Sequence, residues 1–580
     1  MKLFKYGLPF AALALLASCA NDNIGEPTPE GVGNEDGYNA KFTVTLPSVS
    51  GSRAVSFEDY NEVNASEYAI RNAGIYIYQD KSDDAATTPG NENDYELIAA
   101  SQLFYNPTVN NASTDVSNTV TIQVKLSSLD KEATTYYALC IVNQDDQGDD
   151  GAPGNGFVLP TVGEKFGVWK EKIMGSKTSG NPFLSTYKGV NYFTMTNAPT
   201  FTRDNGDETT PLTSLPNITT LVPVEASAFV ASPQTPSASA ANFYVQRGVA
   251  KVILQGKKGN TNVDLAAIPC KDREDIFNAT DWYLDVTNYV TYGVQNVSNV
   301  NTEMGKLTGS KTHFYTEKSG SSVEFNHIWW AKDPNYGATS GQLETDFFYL
   351  NDNPTTTLNA VRGENAKLTD YCLENLMPFG SMKQNETTRI VVKGVYKVKD
   401  NTNEDYSFVV NPNTDEAYPI DSHLLNASAK ESKTGVALNT LFDTTQDGAS
   451  AAIKEIADAL HMNPTGTDKV DFYYQGVTYY VARINHFDPT NTDEAGLAAN
   501  QKITNDAENF GYTAQQTGRY SVLRNNAYYI SVEQVLGYGS PTVPPPGTTP
   551  DDEPETNKYN IKVDINVLKW AVRDYGYTLQ

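Results

Sequence analysis

The stretch Tyr559-Asn-Ile-Lys-Val-Asp-Ile-Asn-Val567, close to the C-terminus, decides the fold class. Its apolar residues recur at every second position and alternate with lysine, aspartate and asparagine. A period of two residues places alternate side chains on opposite faces of a β-strand, and seven residues of strand span about 23 Å. The stretch therefore predicts a β-strand with one apolar face, formed by Ile561, Val563, Ile565 and Val567.

A proline-rich segment precedes this strand. Five prolines lie within residues 541–550, and Pro554 follows them. Such sequences adopt an extended polyproline II conformation and act as semi-rigid spacers. Two interpretations are open at this point. The strand is the last one of its own domain, or a stiff arm carries it to the open sheet edge of another molecule, which is β-augmentation.

Short β-type segments separated by polar turns recur along the whole chain. Their number, and the scarcity of amphipathic helices, predict a mainly β protein built of β-sandwiches. Because single hydrophobic cores rarely exceed roughly 250–300 residues, the 580 residues predict two or more domains, with a boundary near residues 255–265. The predicted strands include 42–46, 73–78, 120–126, 136–142, 249–254, 388–398 and 528–535.

One amphipathic helix is predicted over residues 451–462, with Ser450 as its N-cap. Ile453, Ile456 and Leu460 recur at helical spacing and form one apolar face. We expect that face to cover a sheet.

The charge of the chain excludes one class of partner. With 43 Lys+Arg against 70 Asp+Glu, the formal net charge is −27. Nucleic acids and anionic membrane surfaces are bound by patches rich in lysine and arginine. Neither is expected as a partner of this chain.

The sequence also lacks the motifs of common catalytic and metal sites. It has five histidines and no His-Glu-x-x-His, Gly-x-Ser-x-Gly, phosphate-loop or Cys-x-x-Cys pattern. We therefore predict a protein that is not an enzyme, with no catalytic residue, no metal site and no cofactor. A carboxylate pair for glycoside hydrolysis stays open as an alternative among the 70 acidic residues, because such pairs meet in space and not in sequence.

Two further segments are weak candidates for binding. The acidic loop 144–150 departs from the calcium-loop pattern at Gln147, which favours a solvated loop. Trp329 and Trp330 are adjacent, so in a strand they point to opposite faces. We expect one ring in the core and one at the surface rather than a platform for a sugar.

The N-terminus predicts export. Lys2 and Lys5 precede a brief apolar stretch, residues 8–16, which is far shorter than the roughly 20 residues of a membrane-spanning helix. The following Leu16-Ala-Ser-Cys19 resembles a bacterial lipobox, whose cysteine is acylated. We expect residues 1–19 to be a lipoprotein signal peptide and Cys19 to carry the lipid, with palmitate among its acyl chains. An ordinary signal peptide with an incidental cysteine is the alternative.

Three cysteines remain after Cys19. Cys140 lies in an apolar run, residues 136–142, and is expected to be a buried thiol. The sequence leaves open whether Cys270 and Cys372 form a disulfide.

Several motifs follow one another in an order that resembles a known family. They are the lipobox at Cys19, the strand 42–46 followed by Arg53, and the segments 67–78, 245–252, 474–480, 520–526 and 537–541, with a tail that contains Trp570. In this order they resemble the FimA/Mfa-like fimbrillins, the major subunits of the type V pili of anaerobic Gram-negative bacteria. The Mfa-type shaft subunits fit best.

The resemblance implies a fold of two tandem transthyretin-like Greek-key β-sandwiches, with a few short helices and a C-terminal donor-strand tail. The N-terminal sandwich is expected at residues 54–260 and the C-terminal sandwich at 261–540. Residues 20–53 would be a propeptide made of a tether and a removable strand. The proline-rich linker and donor strand would occupy residues 541–580.

The resemblance also gives the two ends a role in assembly. It implies that a trypsin-like, Arg-specific protease cuts between Arg53 and Ala54, which would release the lipid anchor. The same cut would remove a strand whose inward residues are Phe42, Val44 and Leu46. The unpaired edge left behind would accept the tail of a neighbouring copy. In that tail the inserted residues would be Ile561, Val563, Ile565, Val567 and Trp570.

The implied function is that of a structural subunit of a fimbrial shaft, which serves adhesion and biofilm formation. Head-to-tail donation builds filaments rather than closed rings. The expected partners are further copies of the chain, tip, accessory and anchor subunits, the protease, and a host or bacterial surface receptor. The chain would reach the outer membrane as a lipoprotein and then enter a surface fimbrium. Alternatives are a fimbrial tip or anchor subunit, and a glycan-binding surface lipoprotein that does not polymerise.

Cleavage after Arg53 predicts the first residue of the mature protein. N-terminal sequencing of fimbriae sheared from the cell surface should begin at Ala54. An acylated Cys19 in the bulk of the sheared protein would contradict this prediction.

Overall fold

The fold was analysed on a computed structural model, which describes the following parts of the chain: residues 37–45, 67, 70–81, 90–101, 103–105, 119–126, 129, 135–144, 156–187, 190–202, 211–256, 265–307, 314–316, 326–336, 347–353, 355–361, 366–378, 383–399, 401, 405–486, 517–518, 520–546 and, for the backbone, 561–569. They belong to one unit, Asp36–Gln580. The predicted site residues Cys19, Leu46, Arg53, Ala54 and Trp570 lie outside the described residues.

Strands dominate the described residues. The strands of the first part are β1 (Tyr38–Thr45), β2 (Asn72–Gln79), β3 (Glu96–Ala100), β4 (Phe104–Tyr105), β5 (Thr119–Leu126), β6 (Thr135–Val142), β7 (Ile173–Met174), β8 (Leu184–Tyr187), β9 (Val190–Phe193), β10 (Met195–Asn197), β11 (Val222–Glu225), β12 (Val230–Ala231) and β13 (Asn242–Arg247).

The second part continues in the same way. Its strands are β14 (Val249–Gln255), β15 (Ile268–Pro269), β16 (Ile276–Asp285), β17 (Thr287–Asn288), β18 (Thr291–Tyr292), β19 (Tyr315–Thr316), β20 (His327–Ile328), β21 (Phe347–Phe348), β22 (Asn359–Ala360), β23 (Thr369–Leu373), β24 (Arg389–Lys397), β25 (Phe408–Asn411), β26 (Glu416–Pro419), β27 (Lys433–Ala437), β28 (Lys469–Tyr473), β29 (Val477–Arg483), β30 (Asn526–Val535) and β31 (Ile561–Lys569). The mainly β fold predicted from the sequence is confirmed. Its transthyretin-like Greek-key description and the domain limits stay predictions.

The first core is enclosed by a bent sheet. Its strand order is β12-β1-β13-β10-β6-β2-β3, with β5 paired to β1, β11 to β6 and β4 to β2. Strand β13 joins the two halves, because residues 242–244 pair with β1 and residues 245–247 pair with β10. Side chains from both halves therefore meet in one core, among them Phe42, Ile75, Ile122, Cys140 and Phe243.

The second core lies between two sheets. One has the strand order β23-β14-β30-β31, and the other has β15-β16-β24-β29, with β22 paired to β16. Val252 and Ile530 enter the core from the first sheet, and Trp282 and Val392 enter it from the second. Two sheets that share one apolar interior form a β-sandwich.

The chain passes from the first core to the second at Gly248. Val249 packs in the first core and Ala250 in the second. A Cβ atom at position 248 would lie 2.0 Å from Cδ1 of Phe183, so only glycine fits there. Leu373 of β23 and Ala527 of β30 also pack in the first core, so strands of the second sandwich help to close the first.

The helices are α1 (Phe166–Lys170), α2 (Val300–Gly305) and α3 (Ala449–Ala459). Helix α3 is the one predicted from the sequence, and Ile453, Ile456 and Leu460 are buried as expected. They pack against the sheet β26-β25-β28-β27. No helix in the described residues is long and apolar enough to cross a membrane.

The predicted N-cap of this helix is wrong. Ser450 lies inside α3, and the cap position is Gly448, with φ of 88°. Because a left-handed backbone is far easier for glycine than for serine, the turn forms at Gly448 and the helix begins earlier than predicted.

The three described cysteines, Cys140, Cys270 and Cys372, are free and buried. Cys140 is therefore the buried thiol that was predicted, and Cys270 and Cys372 do not form a disulfide. Burial raises the pKa of all three thiols, which lowers their reactivity because the thiolate is the nucleophile.

Thiol reactivity should therefore report unfolding. In the chain 20–580, which lacks Cys19, Ellman's reagent should titrate almost no thiol in the native state and three in guanidinium, because the reagent cannot reach buried thiols. A Ser→Cys substitution at an exposed position is the control and should react at once. Rapid native reaction of the unsubstituted chain would contradict the structure.

Candidate functional site

Strand β1, the first described element, lies in the middle of a sheet. It pairs antiparallel with β5 along its whole length, from Tyr38 opposite Leu126 to Thr45 opposite Thr119. Its other edge pairs with β12 at residues 38–39 and with β13 at residues 43–45. Removal of β1 would thus expose two strand edges at once. We call the space that β1 occupies between β5, β12 and β13 the β1 groove.

The core-facing side of β1 is apolar and fully enclosed. Ala40, Phe42 and Val44 are 0% exposed, while Lys41 and Thr43 between them are half-buried. The Phe42 ring packs at centroid distances of 5.4 Å from Phe243 and 6.4 Å from Phe229. These residues fill the centre of the first core, and their burial amounts to several kcal/mol at about 1.5–3 kcal/mol for each large side chain.

Polar contacts hold β1 to the segment that precedes β13. The N–H of Thr43 donates to the carbonyl of Ala241 (3.0 Å), and the N–H of Ala240 donates to the carbonyl of Lys41 (2.6 Å). The hydroxyl of Thr43 donates to that of Ser239 (2.9 Å). Any strand that replaced β1 would have to satisfy these backbone groups, because unpaired buried N–H and C=O groups are costly.

A buried polar cluster fixes residue 67, which follows the predicted cut at Arg53. The Glu67 carboxylate accepts hydrogen bonds from Nζ of Lys251 (2.8 Å) and from the hydroxyl of Tyr371 (2.7 Å). The Glu67 carbonyl accepts one from Nε of Arg247 (2.7 Å). Glu67 and Lys251 are almost completely buried, and burial together with the Glu67 charge raises the pKa of Tyr371.

This Glu67 cluster ties residue 67, five residues before β2, to the second sandwich, since Lys251 lies on β14 and Tyr371 on β23. Sequence reasoning missed it. The available signal was Lys251 in the apolar run Val-Ala-Lys-Val-Ile, because a lysine in the middle of a buried strand requires an acidic partner.

The tail strand β31 pairs with β30 of its own chain. The antiparallel pairing runs from Ile561 opposite Val535 to Lys569 opposite Asn526. The sequence leaves two interpretations of this strand open. The structure of the single chain shows it as the last strand of its own chain's sheet and not on another molecule. The predicted donor residues Ile561, Val563, Ile565 and Val567 lie opposite residues of β30 that are all buried. In the same order, these β30 residues are Val535, Val532, Ile530 and Tyr528.

The connection between these paired strands is far longer than the pairing requires. Residues 536–560, which are 25 residues, separate Val535 from its partner Ile561. Antiparallel neighbours are usually joined by about two to five residues, and loops beyond roughly 12–15 residues are usually functional. The length of this connection therefore requires an explanation other than hairpin formation.

The weaker candidates have no common site. Trp330 is buried and Trp329 is half-buried beside His327, so the two rings do not form a platform. The acidic residues 145–150 lie outside the described residues. Within the described part of the chain, no group of three or more His, Cys, Asp or Glu residues is arranged to hold a metal.

Comparison with known proteins identifies the C-terminal region. Residues 471–576 match the family model described as major fimbrial subunit protein type IV, fimbrillin, C-terminal. The C-terminal region of the chain is therefore similar to the C-terminal part of fimbrillins. The matched region includes the last three residues of β28, all of β29 and β30, the long connection and β31. No curated protein matches the chain.

Solved structures of fimbrial and adhesion proteins are among those similar to this chain. A candidate cell adhesion protein from Parabacteroides distasonis has 10% identity and a TM-score of 0.36, with 94% of this chain and 100% of that chain covered. A fimbrilin (FimA) from Porphyromonas gingivalis has 11% identity and a TM-score of 0.34 (93% and 99% covered). The tip fimbrial protein Mfa3 from Porphyromonas gingivalis, with C-terminal truncation, has 10% identity and a TM-score of 0.29 (92% and 100% covered).

The enclosure of Phe42 predicts a large effect of truncation. In the uncut chain 20–580, Phe42→Ala should lower the free energy of unfolding by about 3–5 kcal/mol, because it leaves a cavity between Phe229 and Phe243. Lys41→Ala, one residue away on the opposite face, is the matched control and should change it by about 0.5 kcal/mol or less. Guanidinium denaturation measures both, and equal losses would contradict the burial of this strand.

Proposed function

We propose that this protein is the repeating shaft subunit of a surface fimbrium and that it polymerises by protease-triggered donor-strand exchange. The observation that carries the proposal is the position of β1. A strand that precedes the predicted cut at Arg53 fills the centre of the first core and pairs along both of its edges. A cut at Arg53 would leave it held by non-covalent contacts alone.

Cleavage changes the competition for the β1 groove. While β1 is covalently attached, its effective concentration at the groove is in the millimolar range or higher, which excludes a strand from another molecule. After the cut, β1 is a free peptide that is lost on dissociation. The groove then exposes apolar surface beneath two unpaired strand edges, which favours uptake of another strand.

The tail has the pattern needed to replace β1. Strand β31 has nine residues and β1 has eight, and both alternate apolar with polar residues. Burial of Ile561, Val563, Ile565 and Val567 would contribute about 6–12 kcal/mol before ordering costs, at about 1.5–3 kcal/mol for each side chain. This figure is counted from a solvent-exposed tail, so the gain on exchange is the amount by which it exceeds the pairing with β30.

The tail has to leave β30 in order to reach a neighbour. Within the described residues, β31 pairs with β30 alone, at the edge of its sheet, whereas β1 has paired strands on both sides. Transfer from an edge to a central position adds backbone hydrogen bonds, and this gain favours the exchange. The part of the connection nearest to the tail, residues 545–560, supplies the length for it.

The finer role follows from these features. A shaft subunit needs both an accepting groove and a donated tail, and the chain combines the β1 groove with a tail on a long arm. A tip subunit would not need to donate a tail, and an anchor subunit would keep its lipid at Cys19. The proposed partners are further copies, tip, accessory and anchor subunits, an Arg-specific protease and a surface receptor. The proposed location is the outer membrane followed by the fimbrium.

Deletion of the tail tests donation directly. After an Arg-specific protease has removed residues 20–53, the chain that lacks residues 559–580 should remain monomeric by light scattering and form no fibres in electron microscopy, because it has no strand to donate. A synthetic peptide of residues 559–580 should still bind this cut chain through its β1 groove.

Paired substitutions make the test specific. Val563→Asp with Ile565→Asp should abolish fibres, because it places two charges in an apolar groove, whereas Lys562→Ala with Asp564→Ala should preserve them. Fibres built from tail-deleted copies, or from copies that still carry residues 20–53, would overturn the proposal.

A further inference from the structure

The chain segment that leads from β30 into the proline-rich arm has no regular secondary structure, yet it is held to the body of the protein. We call residues 537–544 the anchoring segment. Its backbone carbonyls accept hydrogen bonds from side chains of other elements. The donors are Tyr480 Oη to Gly537 (2.7 Å), Thr478 Oγ1 to Tyr538 (2.7 Å), Tyr473 Oη to Gly539 (2.8 Å), Asn351 Nδ2 to Val543 (2.9 Å) and Arg389 Nη2 to Pro544 (2.6 Å).

Backbone bonds add to this set at one position. The N–H of Tyr479 donates to the carbonyl of Ser540 (2.8 Å), and the N–H of Ser540 donates back to Tyr479 (2.9 Å). Carbonyls 537 to 540, 543 and 544 are therefore all satisfied. Pro541 and Pro544 lack the N–H through which a strand would pair, and the segment is held mainly through its carbonyl acceptors.

Close packing accompanies these bonds. A Cβ atom at Gly539, where φ is 72°, would lie 2.3 Å from Oγ1 of Thr478, so glycine is required for the approach. The Tyr538 side chain is buried in the second core, with the Arg273 guanidinium 3.9 Å from its ring centroid. Residues 537–541, Gly-Tyr-Gly-Ser-Pro, thus pack closely against the second sandwich at the start of the arm.

The last of these donors, Arg389, also belongs to a buried ion pair. Arg389 is 1% exposed and Asp285 is 0% exposed, and their side chains approach to 2.7 Å. The Asp285 carboxylate also accepts the N–H groups of Leu350 and Val286, so the pair is fixed by the body of the second sandwich. From this fixed pair, Arg389 reaches the carbonyl of Pro544, immediately before Pro545 and Pro546.

We propose that the five side-chain donors are positioning residues that fix Pro544 as the point at which the arm leaves the subunit. Because two further prolines stiffen the chain directly after this point, the direction of the arm is fixed as well. The 17 residues 545–561 extend at most about 56–61 Å from Pro544, so a fixed exit limits where the receiving copy can lie. The anchoring segment thereby sets the orientation of successive copies. This inference rests on the proposed donation of the tail.

The test compares two triple variants of the chain 20–580. The anchoring variant is Asn351→Ala, Tyr473→Phe and Tyr480→Phe, which removes three donors to the arm. The matched control is Asn326→Ala, Tyr95→Phe and Tyr349→Phe, whose donors reach carbonyls elsewhere, at Phe201, Gly90 and Asn385. The two variants should have similar melting temperatures, which separates arm position from general stability. If the triple variant does not fold, Asn351→Ala alone replaces it, since Asn351 is exposed.

Arm mobility in the monomer is the first measurement. Thr549→Cys carries a spin label in both variants, and the three native thiols are buried and do not compete for it. The label should become several-fold more mobile in the anchoring variant and remain as in the parent chain in the control. Equal mobility in the two variants would overturn the inference.

Fibre regularity after cleavage is the second measurement. Peptide 559–580 should bind the anchoring variant within about two-fold of the parent, because the β1 groove is intact, while its fibres should lose their regular subunit repeat in electron micrographs. A regular repeat in these fibres would overturn the inference even if the label is mobile. If the parent chain neither binds the peptide nor polymerises, the proposed function fails, and the inference about orientation fails with it. An increase in label mobility in the anchoring variant would still establish the anchoring of the arm.

Discussion

The insertion of β1 between β5 and β13 is the interaction on which the first core depends. Phe42 occupies the space between Phe229 and Phe243, and both edges of its strand are paired. A residue so placed is ordinarily part of the permanent core of a domain. Here it belongs to a segment upstream of a predicted cleavage point, so the chain builds part of its interior from sequence that the proposed mature form does not keep.

The contacts of the Glu67 cluster do not include β1. Glu67 is bound by one side chain of the first sheet, on β13, and by two side chains of the second sandwich, on β14 and β23. Leu373 and Ala527 reinforce the same arrangement, because strands of the second sandwich close the end of the first core. Strands β5 and β12 pair with β1 and with no other described strand, so removal of β1 would change their pairing, whereas the pairs of β13 with β10 and of β2 with β6 do not involve β1.

Local patterns predicted the strands, because alternation and apolar content are properties of neighbouring residues: the predicted strand 249–254 is observed as Val249–Gln255, and 136–142 as Thr135–Val142. The same patterns could not predict partners. Alternation identifies β31 as a strand, but the pairing with β30 depends on which edge is free. The contacts of Glu67, and the donors to the carbonyls of residues 537–544, join positions separated by scores to hundreds of residues and leave almost no trace in local sequence. The start of α3 was missed because a glycine with left-handed backbone geometry replaced the expected serine cap.

The pairing of β31 with its own β30 has a consequence for the terminal copy of a filament. In a row of subunits that pass their tails in one direction, one copy has no recipient. Its tail can remain paired with β30, opposite Tyr528, Ile530 and Val532, which leaves no unpaired strand to bind unrelated proteins. The end of such a row would expose no unpaired tail, even without a separate capping subunit. The tail would be donated once a copy with a vacant β1 groove arrived.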